Sequence, residues 1–166
     1  SVIVSVNNSL VCWGLETYGS EAQKEKYLMR LATGEIIGAF CLSEPEAGSD
    51  ATSQKTTAID KGDHYLLNGT KNWITNGGTA EVYLVIAQTD REKGHKGINV
   101  LIVEKGMAGF EIGPKENKLG IRGSDTHSLN FNDVKIPKEN RIGEDGFGFK
   151  FAMKTLAGGR IGIAAQ

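Results

Sequence analysis

The sequence has little of what small or unusual folds rely on. Two of its 166 residues are cysteine, Cys12 and Cys41, far apart and in no C-x-x-C pair. A disulfide framework is therefore not expected, and two reduced thiols in a cytosol-like compartment is the plain reading. The three histidines, His64, His95 and His127, show no metal-ligand spacing, so no metal site is expected. Three prolines and the lack of any low-complexity tract exclude collagen and Pro-rich disorder. No window holds the ~18 apolar residues that a bilayer span needs, so no membrane insertion is expected. Neither sign of charge is in excess: 19 Lys and Arg stand against 20 Asp and Glu, a net charge of -1. That argues against a general nucleic-acid or anionic-membrane surface and leaves room for a local basic pocket. The phosphate signatures G-x-x-x-x-G-K-[ST] and G-x-G-x-x-G are absent. No Ser/His/Asp arrangement is supported either.

What is plentiful is glycine. There are 22, against a usual ~7% of residues, and seventeen of them fall between Gly34 and Gly148. The residues before that stretch are helical in period. Ser20 and Gln23 have the form of a capping box, and Gly34 fits the residue after a helix end. From Ile36 to about Pro137, short β-rich runs alternate with turns: IIGAFCLS, HYLLN, KNWIT, EVYLVIAQT, INVLIVEK, FEIG and HSLNFNDVKI. The turns between them include D-K-G-D at 60–63, N-G at 68–69, read as a hairpin, N-G-G at 76–78 and G-M-A-G at 106–109. From Phe149 the text is helical again, with Phe151, Met153, Leu156 and Ile161 as apolar contacts. The fold class is α+β: an antiparallel β-barrel or sandwich, residues 36–145, between truncated helical segments at 1–35 and 146–166. The chain opens without Met on an apolar run and stops inside another, so both ends read as cuts in a longer protein.

Three segments have the composition for chemistry. In GAFCLSEPEAGSD (38–50), Pro45 lacks an N–H, Gly48 allows a close backbone approach, and Ser43 and Ser49 offer hydroxyls. Such a loop suits a flat hydrogen-bonding ligand or a phosphate, and equally an ordinary turn; Glu44 and Asp50 are a possible carboxylate pair. In LNGTKNWITNGG (67–78), Trp73 fits a core, yet Asn72, Trp73 and Thr75 stand beside a double glycine, as an aromatic ligand ring would need. In KLGIRGSDTHSLNFNDVKIP (118–137), Arg122 can pair with an anion and Asp125 can cap a turn. The plain account there is a turn and an alternating strand through Leu129, Phe131 and Val134.

Taken in order, SEPEAGSD, LNGTKNWITNGG, KLGIRGSDTHSLNFNDVKIP and GFGFKFAMKTLAGGRIGIAAQ resemble the acyl-CoA dehydrogenase family, most closely its short-chain or butyryl type. The resemblance implies an N-terminal helical domain, a middle β domain and a C-terminal helical domain, with FAD as cofactor. It implies oxidation of an acyl-CoA substrate to trans-2-enoyl-CoA, the β hydride passing to flavin N5, and electrons leaving through an electron-transferring flavoprotein. By position, Phe40, Cys41, Leu42, Ser43, Glu44, Pro45, Gly48 and Ser49 would line the pyrimidine side of the flavin. Trp73, Ile74 and Thr75 would border the ring, with the Thr75 hydroxyl near N5. Ser49 and Arg160 would face the acyl-CoA. The pattern departs from the family at Ala157, where many members have Asp. Gly159 stands where isovaleryl- and long-chain-type members place the catalytic Glu, so the base is expected beyond Gln166. The resemblance further implies a homo-oligomer, dimer or tetramer, in the bacterial cytoplasm or the mitochondrial matrix. The alternatives are an acyl-CoA oxidase or flavin monooxygenase of the same fold, or a β-sandwich binding module without a redox role.

Overall fold

The computed structural model describes residues 2–165. Helix α1 (residues 2–18) is α-helical at Val2–Val6 and Trp13–Tyr18 and widens to π-type turns over Asn7–Cys12. Helix α2 (residues 21–33) starts where the sequence predicts. The Ser20 side chain accepts from the Gln23 N–H, and the Gln23 side chain accepts from the Ser20 N–H. It stops at Gly34, whose φ of 75° ends the helix in the left-handed region.

Eight strands follow: β1 (Gly38–Cys41), β2 (Thr57–Asp60), β3 (His64–Thr75), β4 (Val82–Gln88), β5 (Ile98–Glu104), β6 (Phe110–Lys115), β7 (Thr126–Pro137) and β8 (Arg141–Ile142). Helix α3 (Gly148–Ala164) comes after them. The strands form one sheet in the order β6-β7-β3-β2-β4-β5-β8, with β1 beside β4. Most pairs are antiparallel, as expected. The difference is at β4, which pairs antiparallel with β5 but parallel with β1, and parallel with β2 at Gln88 alone. Parallel neighbours need a long crossover, and the β2–β3 excursion supplies it.

β4 is thus a seam at which the sheet folds over on itself. Alternation along each strand feeds two cores, one per face. Tyr83, Val85, Leu101 and Val103 meet Leu67, Leu129, Phe131 and Ile136 between the two halves. Leu84, Ile86, Val100 and Ile102 turn the other way, against Val11, Leu15, Leu31 and Phe151 of the helices. Each fully buried side chain of this kind contributes about 1.5–3 kcal/mol. β1 contributes to both cores, Phe40 to the helix side and Ala39 and Cys41 to the other, and the loop after it emerges at the surface.

Two expectations change. HYLLN and KNWIT are not a hairpin: they are halves of one strand, β3, and Asn68–Gly69 lies inside it. Both halves pair with β7 rather than with each other. Gly69 has a φ of 141°, and a Cβ there would sit 2.5 Å from Thr56 Oγ1, so it serves a close approach of the chain after the SEPEAGSD loop. In α3 the buried face is Gly148, Phe151, Ala152, Thr155 and Gly159. Leu156 packs against the core, while Met153 and Ile161 are exposed. Small residues bring α3 close to α1, which a reading based on large apolar residues does not see. Among the described residues, no helix is long and apolar enough to cross a membrane, and no three His, Cys, Asp or Glu side chains cluster as a metal site would require.

Candidate cofactor and ligand site

The site begins with an irregularity in β3. Lys71 pairs with Leu129 of β7 and Ile74 with His127, so three steps on β3 face two on β7. This bulge sits at Trp73, whose φ is 61°. In a regular strand residues 71 and 74 would point to opposite faces; the extra residue lets Lys71 and Ile74 both turn inward. Trp73 is turned out and is 61% exposed. A positive φ is strained for a bulky residue, and strain of this kind concentrates at functional sites.

The inward Lys71 meets the loop that follows β1. Its ammonium, fully buried, donates to Glu44 Oε1 at 2.7 Å, to the Leu42 carbonyl at 2.9 Å and to Gln54 Oε1 at 3.4 Å. All three ammonium hydrogens therefore have an acceptor. The Glu44 carboxylate also accepts from the Lys55 N–H at 2.6 Å and the Thr56 N–H at 3.2 Å. Burial acts to raise the Glu44 carboxyl, but Lys71 and these N–H donors outweigh it and hold it below the ordinary range. Burial pulls the Lys71 ammonium below its ordinary value, and Glu44 offsets only part of that. Between the two charges the loop closes on itself: the Glu44 and Ala47 backbones exchange hydrogen bonds of 3.0 and 3.2 Å. The Asn72 N–H donates to the Ser43 carbonyl at 2.8 Å, joining loop and bulge directly.

The first two sequence segments thus come together, with Ser43 half-buried and Pro45, Gly48 and Ser49 exposed beside the loop turn. Thr75, half-buried, follows the bulge. Other residues expected along a ligand keep their side chains away from solvent. Phe40 and Leu42 belong to the helix-side core, Cys41 and Ile74 to the inter-strand core. Burial pushes the Cys41 thiol well up. Only the backbone of these four is left to touch a ligand. Glu44 holds the loop from inside, and no Glu44–Asp50 pair exists. Asp50 accepts instead from the Thr52 N–H and hydroxyl, at 3.1 and 2.6 Å, and from the Ser53 hydroxyl. Arg160 lies elsewhere, at an apolar groove of about 310 Å³ between α1 and α3.

In the third segment Arg122 donates to the Lys118 carbonyl at 3.1 Å and is exposed. Asp125 accepts from the Gly78 N–H at 3.0 Å and meets His127 Nε2 at 2.8 Å, while His127 Nδ1 contacts the Gly113 carbonyl at 2.7 Å. This triangle ties the N-G-G turn to the start of β7.

Sequence reasoning missed a second concavity. A cavity of about 550 Å³ opens beyond Ser53, where Lys55, Arg91 and His95 line it together with Gln88. Gln88 Nε2 donates to the Gly94 carbonyl at 3.0 Å, while its Oε1 is buried without a partner. The signal available was the charged run REKGHKG between two apolar strands. Lys71 had a weaker signal, as the lone charge in KNWIT.

Residues 39–134 match the acyl-CoA dehydrogenase middle domain and residues 1–35 the acyl-CoA dehydrogenase N-terminal domain. A short-chain specific acyl-CoA dehydrogenase of Clostridium acetobutylicum is 55% identical over 165 residues, covering 99% of this chain and 44% of that protein. The structure of butyryl-CoA dehydrogenase from Megasphaera elsdenii superposes with a TM-score of 0.96 at 52% identity, covering 99% of this chain and 43% of that one. A chain in the structure described as "Electron transferring flavoprotein of Acidaminococcus fermentans" superposes at 0.97 with 51% identity, again covering 99% and 43%. The chain spans less than half the length of these relatives. With strand order, bulge and loop accounted for and the middle-domain match running from β1 into β7, the chain belongs to the acyl-CoA dehydrogenase family.

Proposed function

We propose that this chain forms the flavin- and substrate-binding part of a short-chain acyl-CoA dehydrogenase, which converts a short-chain acyl-CoA to trans-2-enoyl-CoA. The observation that carries the reading is Trp73, a large aromatic plane held out in solvent on a strained bulge beside a loop of small hydrogen-bonding residues. These residues fit FAD: Trp73 offers a face for a ring, Ser43 and Thr75 offer hydroxyls, and Gly48 and Ser49 leave the loop open. Bound FAD would supply the two-electron acceptor, taking the substrate's β hydride at N5 while a base takes the α proton.

The chain's own residues bind and orient. Ser43 and its neighbouring N–H groups donate to the polar edge of the ring, where negative charge gathers on reduction. Phe40, Cys41, Leu42, Pro45 and Ile74 contribute backbone and shape. Ser49 lies on the loop's open side, towards the acyl-CoA, and the basic cavity at Lys55, Arg91 and His95 suits the phosphates of the CoA tail. Arg160, at the α1–α3 groove, is retained as an acyl-CoA contact on the family resemblance alone. Glu44 is buried against Lys71 and Asp50 is tied to Thr52 and Ser53; the resemblance to short-chain members implies that the base lies outside these 166 residues, and we adopt that assignment. We divide the chain into residues 1–35, 36–145 and 146–166; the family matches at 1–35 and 39–134 support the first two parts. Exposed Val4, Ile161 and Ile163 suit burial against further protein, as in a homo-oligomer. The electron acceptor is proposed to be an electron-transferring flavoprotein, a reading supported by the Acidaminococcus superposition.

The test uses the full-length gene product. It is expected to purify with a flavin absorbance band that bleaches on addition of butyryl-CoA, with an enoyl-CoA formed. A protein that neither carries nor takes up FAD would sink the reading; stoichiometric peroxide release would move it to an oxidase.

A further inference from the structure

The Glu44–Lys71 pair takes no part in the chemistry proposed above, yet it is a costly feature of this fold. Both side chains are essentially removed from water, at 0% and 2% exposure. Withdrawing two ions from water costs several kcal/mol each, and apolar residues of the same size often do as well or better. Stability alone does not account for it.

The hydrogen bonds of the pair show what an apolar pair would lack. Lys71 Nζ grips the Leu42 carbonyl at 2.9 Å. That carbonyl and the Ser43 N–H are the two ends of one peptide group. A cation at the oxygen draws electron density through the amide and strengthens the N–H at the other end, as in any hydrogen-bonded chain. Glu44 holds Lys71 at that distance, and is itself fixed by the Lys55 and Thr56 N–H groups. The Asn72 N–H clamps the next carbonyl, that of Ser43, so the polarised peptide cannot swing away.

We propose that Lys71, held by Glu44, is a positioning residue that polarises the Leu42–Ser43 peptide and so strengthens the Ser43 N–H as a donor to the electron-rich edge of a reduced flavin. The proposal rests on the reading of the Ser43 loop as a flavin contact. Its consequence is a shift in the balance between oxidised and reduced cofactor rather than in chemistry at Lys71 itself.

The test is a redox titration of the full-length holoprotein. In the double variant Glu44→Gln/Lys71→Met both charges disappear and none is stranded. Its preference for reduced over oxidised flavin is expected to fall about tenfold, a midpoint potential lower by about 30 mV for a two-electron couple. Affinity for oxidised FAD is expected to stay within about threefold, or roughly 0.6 kcal/mol. Glu44→Asp keeps both charges but withdraws the carboxylate by one methylene, and is expected to move the potential in the same direction by less. It decides the matter alone if the double variant does not fold. Potentials unchanged in the variants that fold would overturn the proposal, whatever happens to their melting temperatures. A parent protein without flavin would sink the flavoprotein reading instead. The Ser43 amide proton in ¹⁵N-labelled flavin-free protein then decides: it is expected downfield and to move upfield in the double variant, and an unmoved resonance would overturn the polarisation.

Discussion

The β3–β7 ladder breaks step twice, and the two breaks are built differently. At the first, Leu67 faces Val134 and Gly69 faces Phe131, which leaves the extra residue on β7. Asp133, with a φ of 52°, occupies it, a conformation that Asp adopts more readily than most residues. Asn68 satisfies it twice, donating to Asp133 Oδ1 and accepting from the Asp133 N–H, both at 2.9 Å. The support there is polar, lies at the surface and joins neighbours on two paired strands. At the second, the extra residue is on β3 and the strained position belongs to Trp73. A large apolar surface is left in water, and the support comes from a buried ion pair fixed by a loop about thirty positions earlier in the chain. Hydrogen bonding at the surface explains the first bulge. The second is the one at which we propose that a flat ligand ring comes to lie, on Trp73.

The largest way to break this contrast is Lys71→Met. It leaves the Glu44 carboxylate buried without a counter-charge, with only the Lys55 and Thr56 N–H groups to hold it, and is expected to lower unfolding free energy by about 3–5 kcal/mol, read by urea denaturation. A loss below about 1 kcal/mol would put the second bulge on the same footing as the first. Next comes acid. Because the folded chain holds Glu44 below its ordinary pKa of 4.5, its contribution is present above that pH and is lost as pH falls through the lower, folded value. Unfolding free energy measured from pH 6 downward should therefore drop more steeply in the parent than in Glu44→Gln.

The first bulge should answer more weakly. Asn68→Ala removes two exposed hydrogen bonds and is expected to cost about 0.5–1.5 kcal/mol, with flavin binding unchanged. The smallest stability effect belongs to Trp73→Gly, which relieves the backbone strain and should melt within about 1 kcal/mol of the parent. Its flavin dissociation constant is nevertheless expected to rise about tenfold, some 1.4 kcal/mol. Asp133→Gly, the matching change at the first bulge, should leave flavin binding alone. Equal effects of the two glycine variants on flavin binding would erase the distinction.

The same contrast marks where sequence reading succeeds. Ser20, Gln23 and Gly34 announce α2 because a cap is satisfied by residues three apart. The alternation Leu129, Phe131 announces β7 for the same local reason. Asn68–Gly69 misleads because a hairpin signal describes the chain's own preference, while β7 offers each half of β3 a longer partner. β2 escapes notice because only Ala58 of its four residues is buried and Ile59 is exposed, so no period shows. Within the candidate site, the loop and Trp73 are legible as types of residue. The partner of Glu44 is not, since nothing in KNWIT distinguishes a buried lysine from a solvated one. Resemblance to a family, rather than spacing, carried the individual site residues.

The seam at β4 has a consequence for the chain as it is made. Gly38 of β1 pairs with Val82 of β4, and the ladder runs on to Cys41 and Val85. A ribosome adding about 5–20 residues per second needs several seconds to bridge that interval. For that time the segment that will carry Ser43 has an open edge and no neighbour on the β4 side. Its final position is set by whatever arrives last, so the loop proposed to meet the cofactor is among the late parts of the domain to acquire its shape.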